Sequence, residues 1–252
     1  MGLVETEAIV LHTHKLADAD KIVVSLTERA GLVRGVARGA RRLKSRFGAS
    51  LEPFTLINLT FFEKETRELV TIKNAEIIRS YFGAAGDSDT VAALEQLVEL
   101  VREFAPPHQA DERLFRMLRA CIEALAGGVE AAPVFTYCEL WVLRLTGFLP
   151  DMRTCGGCGL RLRESPAGEM YVTQEGVLWC RECRAGGARV LKRGAYDLLY
   201  AARNLKPGEW AEEYSSSPPE TRQTASDIAR GLVRRALEAE PRAGRFAKSP
   251  TV

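Results

Sequence analysis

Six cysteines stand in the 252-residue chain, and four of them fall in two short pairs, Cys155-Gly156-Gly157-Cys158 and Cys180-Arg181-Glu182-Cys183, with twenty-one residues between the pairs. A CxxC turn brings two thiolates to one ion from a single loop, and two such turns supply the four soft ligands of a closed tetrahedral zinc site. Gly156, Gly157 and Gly159 let the backbone bend round sulfur. The gap leaves room for a small hairpin. Two disulfides or a redox CxxC are the competing readings, and neither accounts for the motif occurring twice. Four bound thiolates leave no open coordination position, so the expectation is one structural Zn2+ held by Cys155, Cys158, Cys180 and Cys183. Glu182 lies inside the second pair but has no activated water to serve, as the acid/base of a zinc deaminase would.

The second constellation is cationic. Between Arg29 and Leu51 lie seven basic residues and no acidic one: Arg29, Arg34, Arg38, Arg41, Arg42, Lys44 and Arg46. On an extended strand Arg34 and Arg38 point to one face, with Val33, Gly35 and Ala37 on the other, small enough for a tight barrel interior. The basic stripe then runs into a loop, where it can follow a phosphate backbone. Phe47 and Phe62 are candidates for stacking on bases. The plainer reading is a solvated loop with both aromatics in the core.

These residues need elements to position them. Residues 1–80 read as five short strands: Ala8–Leu11, Ile22–Thr27, Leu32–Gly39, Phe54–Phe62 and Leu69–Ile78. Five strands with one long basic connection suit a Greek-key barrel of OB type. Residues 88–148 read as three helices, with stripes at Val91, Leu94, Val98 and Val101 and at Leu114, Met117, Leu118, Cys121 and Leu125. Pro106-Pro107 separates the first two, Gly127-Gly128 ends the second, and the third runs from Pro133 to Leu145. A helix over Lys192–Asn204 follows the cysteines, and Ser215–Pro219 reads as a loop into a last helix carrying Ile228, Leu232 and Leu237. The fold class is therefore α+β. A five-stranded OB-fold DNA-binding domain spans 1–80, and a mainly helical domain spans 81–252 with a four-cysteine zinc module inserted at about 151–190.

Charge supports separate modules. Residues 1–80 carry thirteen basic against ten acidic side chains, 81–150 five against ten, and 153–193 eight against four. No apolar run reaches the length of a membrane span, and the first ten residues lack the pattern of a signal peptide. With reduced cysteines this points to the cytosol. His12 and His14 share a strand face without a third ligand in view, and His108 sits in a Pro-Pro-His loop. Cys121 and Cys138 read as buried small hydrophobes, and Trp141 as core. No phosphate-binding GxxxxGK[ST], HExxH or GxSxG motif occurs, and no carboxylate pair suggests acid/base chemistry. The expected protein is a non-enzymatic nucleic-acid binder.

Several segments resemble the bacterial recombination mediator RecO family, over nearly the whole chain. Glu7-Ala8-Ile9-Val10-Leu11 is similar to the family's opening strand. Gly35-Val36-Ala37-Arg38-Gly39-Ala40-Arg41-Arg42-Leu43-Lys44-Ser45-Arg46 resembles its most distinctive segment, followed by Leu51-Glu52-Pro53-Phe54. Leu145-Thr146-Gly147-Phe148-Leu149-Pro150 leads into the first cysteine pair as in the zinc-bearing members. The resemblance implies binding to ssDNA and dsDNA, annealing of complementary strands, and partnership with RecR and with the acidic C-terminal tail of single-strand DNA-binding protein, so that RecA loads on coated strands. It also implies a cytoplasmic, nucleoid-associated bacterial protein without membrane contact. Arg34, Arg38, Arg41, Arg42, Lys44 and Arg46 are expected to hold one strand. Arg161, Arg163, Arg181, Arg184 and Arg189 around the zinc module are expected to hold another. The tail is expected on the helices near Arg113, Arg116, Arg119 and Arg144, or on the last helix near Arg230, Arg234 and Arg235. The competing classes are a zinc-containing OB-fold RNA-binding factor and an enzyme acting on nucleic acid.

Overall fold

Alternating burial along the N-terminal residues sets the first layer. The computed structural model describes residues 2–63, 69–81, 88–164, 169–184 and 186–239. Five strands, β1 (Gly2–Leu16), β2 (Asp20–Thr27), β3 (Gly31–Ala37), β4 (Thr55–Glu63) and β5 (Val70–Ser80), close into a barrel in the order β1-β2-β3-β5-β4, the five-stranded barrel of an OB-fold. The first strand is much longer than its apolar run. Its N-terminal half pairs with β4 and its C-terminal half with β2, and the register shifts between Val10 and His12. A bulge there adds the twist that lets one strand serve both sides of a barrel. The ring closes through a short parallel contact, Gly35 opposite Val70 and Val36 opposite Thr71. A Cβ at Gly35 would lie 2.7 Å from the Ile72 side chain, so closure needs glycine at this position.

Ala8, Val10, Val23, Val33, Ala37, Ile57, Leu59, Phe61, Val70, Ile72 and Ala75 fill the interior. Two further helices belong to the same compact unit, residues 1–131: α1 (Ser88–Phe104) and α2 (Glu112–Ala126). Asp111 caps α2 by accepting from the backbone N–H groups of Arg113 and Leu114. Arg119 reaches both Glu7 of β1 and Glu123, each at 3.1 Å, and the Tyr81 hydroxyl donates to Glu123 at 2.9 Å.

The second unit, residues 132–252, holds most of α3 (Ala131–Leu145), a small sheet and three more helices. The sheet has the order β7-β6-β8, with β6 (Glu169–Val172), β7 (Leu178–Trp179) and β8 (Arg189–Lys192). The helices are α4 (Arg193–Ala201), α5 (Pro207–Ser216) and α6 (Pro219–Ala239). The α5 helix corrects the loop expected over Ser215–Pro219, since it takes in Ser215 and Ser216. Pro207 begins it, Glu209 accepts from the Lys206 N–H at 2.9 Å, and Trp210 and Tyr214 bury one face. Aromatic donors from other elements satisfy carbonyls along and beyond α4: Trp210 Nε1 to Leu198, Trp141 Nε1 to Ala202 and Tyr137 Oη to Leu205, at 2.8 to 2.9 Å. Trp141 is thus structural, and Cys121 and Cys138 are fully buried.

Glu139 of α3 is 2% exposed, and its Oε2 has no hydrogen-bond partner among the described residues. Burial raises its carboxyl from 4.5 to about 7, against a smaller opposing pull from Arg230. Between these values the folded state keeps a proton that the unfolded chain has released, so stability falls as pH rises through this window and stays low above it. Glu139→Gln should raise stability at pH 8 by about 1–3 kcal/mol and change it little at pH 4, measured by urea denaturation. An equal effect at both pH values would show that the charge is not the cause.

Candidate metal centre and nucleic-acid interface

The first CxxC turn is built on a tight loop. Cys155 N–H donates to the Leu160 carbonyl at 2.8 Å, and Gly159 N–H donates back to Cys155 at 2.9 Å. Gly156 N–H reaches the Leu178 carbonyl at 2.8 Å, which fastens this loop to β7. The second turn begins where β7 ends. The β6–β7 hairpin therefore occupies the gap between the pairs and brings them together. The four Sγ atoms lie within 4.8 Å of one another, and those of Cys158 and Cys180 are 3.8 Å apart. Zinc–sulfur bonds of about 2.3 Å in a tetrahedron place sulfurs ~3.8 Å apart, so the cage fits one such ion. A Cβ at Gly157 would stand 2.7 Å from the Trp179 ring and 3.0 Å from Cys183 Cβ, so the turn has space only for glycine there.

Electrostatics favour a cation at the centre. Burial acts to raise the Cys155 thiol, but N–H groups of Cys180, Cys158 and Gly157 outweigh it and bring the thiol down to about 6. Cys183 is pushed up to about 12 by hydrogen bonds with the neighbouring sulfurs Cys158 and Cys180. Four sulfurs this close cannot all ionise without a positive charge among them. The site can thus hold one metal ion. It is the one cluster of three or more potential ligands among the described residues, and His12 and His14, whose rings lie 4.4 Å apart, gain no third ligand.

The cationic residues fall where the barrel strand runs into its long connection. Arg34 is half-buried on the outward side of β3, opposite the buried Val33, Gly35 and Ala37, while Arg38, Arg41, Arg42, Lys44 and Arg46 lie toward solvent. The connection is a chain of turns. Arg42 N–H donates to Gly39, Ser45 N–H to Arg42, and Ser50 donates to Phe47 through both its N–H and its hydroxyl. Phe47 and Leu51 insert into the barrel core, so Phe47 is not a stacking platform. It carries the Arg46 guanidinium on its ring at 4.8 Å. Phe62 is half-buried beside Asn58 and Thr60. Arg41 is partly committed: its Nη1 donates to the Ala17 and Asp18 carbonyls at 3.1 Å and its N–H to Ala19, which braces the β1–β2 turn. The field on this side is positive. Partial desolvation lowers His14 below the ordinary imidazole value, and His12, Arg102 and Arg34 lower it further.

The remaining basic candidates separate. Arg113, Arg116 and Arg119 each meet a carboxylate, as do Arg230 and Arg235. Arg161, Arg181 and Arg189 are exposed, Arg184 lies over the Tyr171 ring, and Arg163 lies against Tyr200. A groove of about 310 Å³ runs between the β6–β7 hairpin and α6. Val172, Ile228 and Leu232 line it together with Arg189, Arg234, Arg235, Asp227 and Glu238. No described helix is long and apolar enough to cross a membrane.

Comparison with known proteins agrees with this architecture. Residues 1–81 match the family model for the N terminal part of Recombination protein O, and residues 85–245 match that for the C terminal part. The DNA repair protein RecO of Koribacter versatilis is 30% identical over 92% of this chain and 91% of its own length. That of Anaeromyxobacter sp. strain K is 32% identical over 88% and 87%. That of Nocardioides sp. is 36% identical over 83% and 84%. With both halves matched and full-length relatives at this identity, the chain belongs to the Recombination protein O family of DNA repair proteins.

Proposed function

We propose that this protein acts in DNA repair and recombination by holding strands through phosphate contacts and annealing complementary ones, without enzymatic chemistry. The observation that carries this is the run of exposed cations on a connection anchored in the barrel core. Arg38, Arg42, Lys44 and Arg46 face solvent on a fixed turn scaffold, with Arg34 continuing the stripe on β3 and Arg41 contributing while it braces the turn. Residues 1–80 would be the DNA-binding domain and 81–252 the helical domain with its zinc module at 151–190. Binding would cover ssDNA and dsDNA, since phosphates are common to both. An RNA-binding role is not favoured by the family membership. The site of action would be the cytoplasm, at the nucleoid.

If the basic connection neutralises about four to six phosphates, log affinity for single strands should fall with log salt at a slope near −3 to −4. Reversal of Arg38, Arg42 and Lys44 to Glu, which spares the turn-bracing Arg41, should weaken binding about tenfold or more across unrelated sequences and flatten that slope. Fluorescence anisotropy at several salt concentrations measures both. Unchanged affinity in a folded variant would remove this loop from the interface.

The metal would be zinc. Its chemistry at this site is to cross-link the two turns, and metal binding then supplies folding free energy. Cys155→Ser should lose the metal in elemental analysis. It should also alter emission from Trp179, which packs on the first turn, while leaving the N-terminal barrel folded. Protein purified without chelator that contains no zinc would overturn the assignment.

Annealing should proceed without ATP. On strands coated by single-strand DNA-binding protein it should weaken when the coating protein lacks its acidic tail. The groove beside α6, where Val172, Ile228 and Leu232 lie with Arg189 and Arg234, is the site we favour for such a tail, although Asp227 and Glu238 also line it and Arg235 is paired with Glu175. RecR would be the other partner in loading RecA. A strand-annealing assay with full-length and tailless coating protein decides both points: an ATP requirement defeats the first, and equal rates with the two coating proteins defeat the second.

A further inference from the structure

Annealing needs two strands held against their own repulsion, and the basic connection of the barrel holds one. In the second unit, two arginines meet on one aromatic side chain, and a third lies beside them. Tyr200, in the last turn of α4, has the guanidinium carbons of Arg163 and Arg203 at 4.9 and 5.0 Å from its ring centroid. Arg163 comes from a 3-10 turn, Leu162–Glu164, and Arg203 from the residues just after α4. Arg144 of α3 donates to the Arg203 carbonyl at 3.1 Å, and its guanidinium lies 4.7 Å over Trp141. Arg193 donates to the Arg163 carbonyl at 3.3 Å. The group is therefore cross-tied by hydrogen bonds and ring contacts instead of resting on flexible stems.

Charge is the decisive feature. Arg193 is matched by Asp197 at 2.9 Å and Arg153 by Asp151 at 2.9 Å. Arg163 and Arg203 meet no carboxylate within ion-pair distance among the described residues. Two like charges held to one ring repel each other, and an anion placed across them relieves that repulsion. Guanidinium groups offer donor forks to phosphate oxygens and can pack against an unpaired base. A single strand offers both at every nucleotide.

We propose that the Arg163–Tyr200–Arg203 cluster, with Arg144 beside it, is a second DNA-strand site, which the annealing reaction uses together with the barrel connection. This rests on the strand-holding role proposed above. The test is the number of short labelled oligonucleotides bound per chain at low salt, read by native mass spectrometry and paired with annealing rates. The full-length protein should bind two. Variants Arg163→Glu with Arg203→Glu, and the milder pair Arg163→Gln with Arg203→Gln, should bind one at the barrel and anneal about tenfold slower or worse. Their metal content and circular dichroism should match the parent. The barrel variant with Arg38, Arg42 and Lys44 reversed should also bind one, and the combined variant none.

If a folded Gln pair still binds two strands and anneals at the parental rate, the cluster is packing and the proposal fails. It fails equally if the pair loses affinity for an acidic peptide but keeps both strands, since the occupant is then a protein. If instead the barrel variant keeps two strands while the Gln pair keeps one, the cluster stands and the assignment of the barrel connection falls.

Discussion

The insertion of Phe47 and Leu51 into the barrel is the contact on which the exposed cationic surface depends. A seventeen-residue connection, residues 38–54, would ordinarily be mobile, and mobile cations lose conformational freedom when they bind. Here the connection packs two of its own apolar side chains among Val10, Val23, Ile57 and Phe61 and ties its turns with backbone hydrogen bonds. The same segment is thus interior at Phe47 and solvent at Arg46. Burying a phenylalanine side chain is worth about 1.5–3 kcal/mol, enough to hold a loop that like charges would otherwise push away. Arg41 adds to this from outside by binding carbonyls of the β1–β2 turn.

The four-cysteine module solves a different problem. Its sheet has strands of four, two and four residues, too small to bury a core of its own. A metal ion held by the four converging cysteines would cross-link the two turns and add to what burial this small sheet provides. The module is joined to the helices by the enclosed apolar contact of Leu178 and Leu191 with Leu140, Leu199 and Ile228. Tyr196 adds a buried hydroxyl that donates to the Met152 carbonyl at 2.8 Å. The order of the metal turns is therefore coupled to α3, α4 and α6 within this unit.

Much of this is legible in the sequence because the signals are local. The CxxC pairs mark the cage by spacing alone, and the cation run marks the basic connection. The alternation Val33, Gly35, Ala37 against Arg34 locates the strand face that the barrel buries. The parts that are not legible depend on long-range packing. Phe47 could stack on a base or fill a core, and its neighbours in sequence do not distinguish these. The barrel interior decides. The ends of β1 carry too few apolar residues to read as strand, because pairing with both β2 and β4 extends it beyond its own pattern. The α5 helix is signalled by Pro207 at its start, Glu209 and the Trp210–Tyr214 spacing, but the serines that follow obscure it. The cluster at Tyr200 cannot be found by spacing, since Arg144, Arg163 and Arg203 are distant in sequence and meet only when α3, the 3-10 turn and α4 pack.

These positions also show where charge is left uncompensated. The arginines of α2 are matched by carboxylates, and Arg119 is matched twice. Such pairs steady a surface and leave little field beyond it. Arg38, Arg42 and Lys44 of the barrel connection, and Arg163 and Arg203 of the Tyr200 cluster, meet no such carboxylate among the described residues. Their mutual repulsion subtracts from stability and is tolerated only because buried anchors, Phe47 and Leu51 in one case and the α4 carbonyl network in the other, hold the backbone regardless. A phosphate chain that meets either surface gains Coulomb energy without first displacing an internal carboxylate. Contacts of this type bind any sequence, because phosphates carry no base identity, and the annealing role proposed above would require that indifference. In that role, specificity for the correct partner strand would come from base pairing between the strands themselves, and the protein would supply only positive charge.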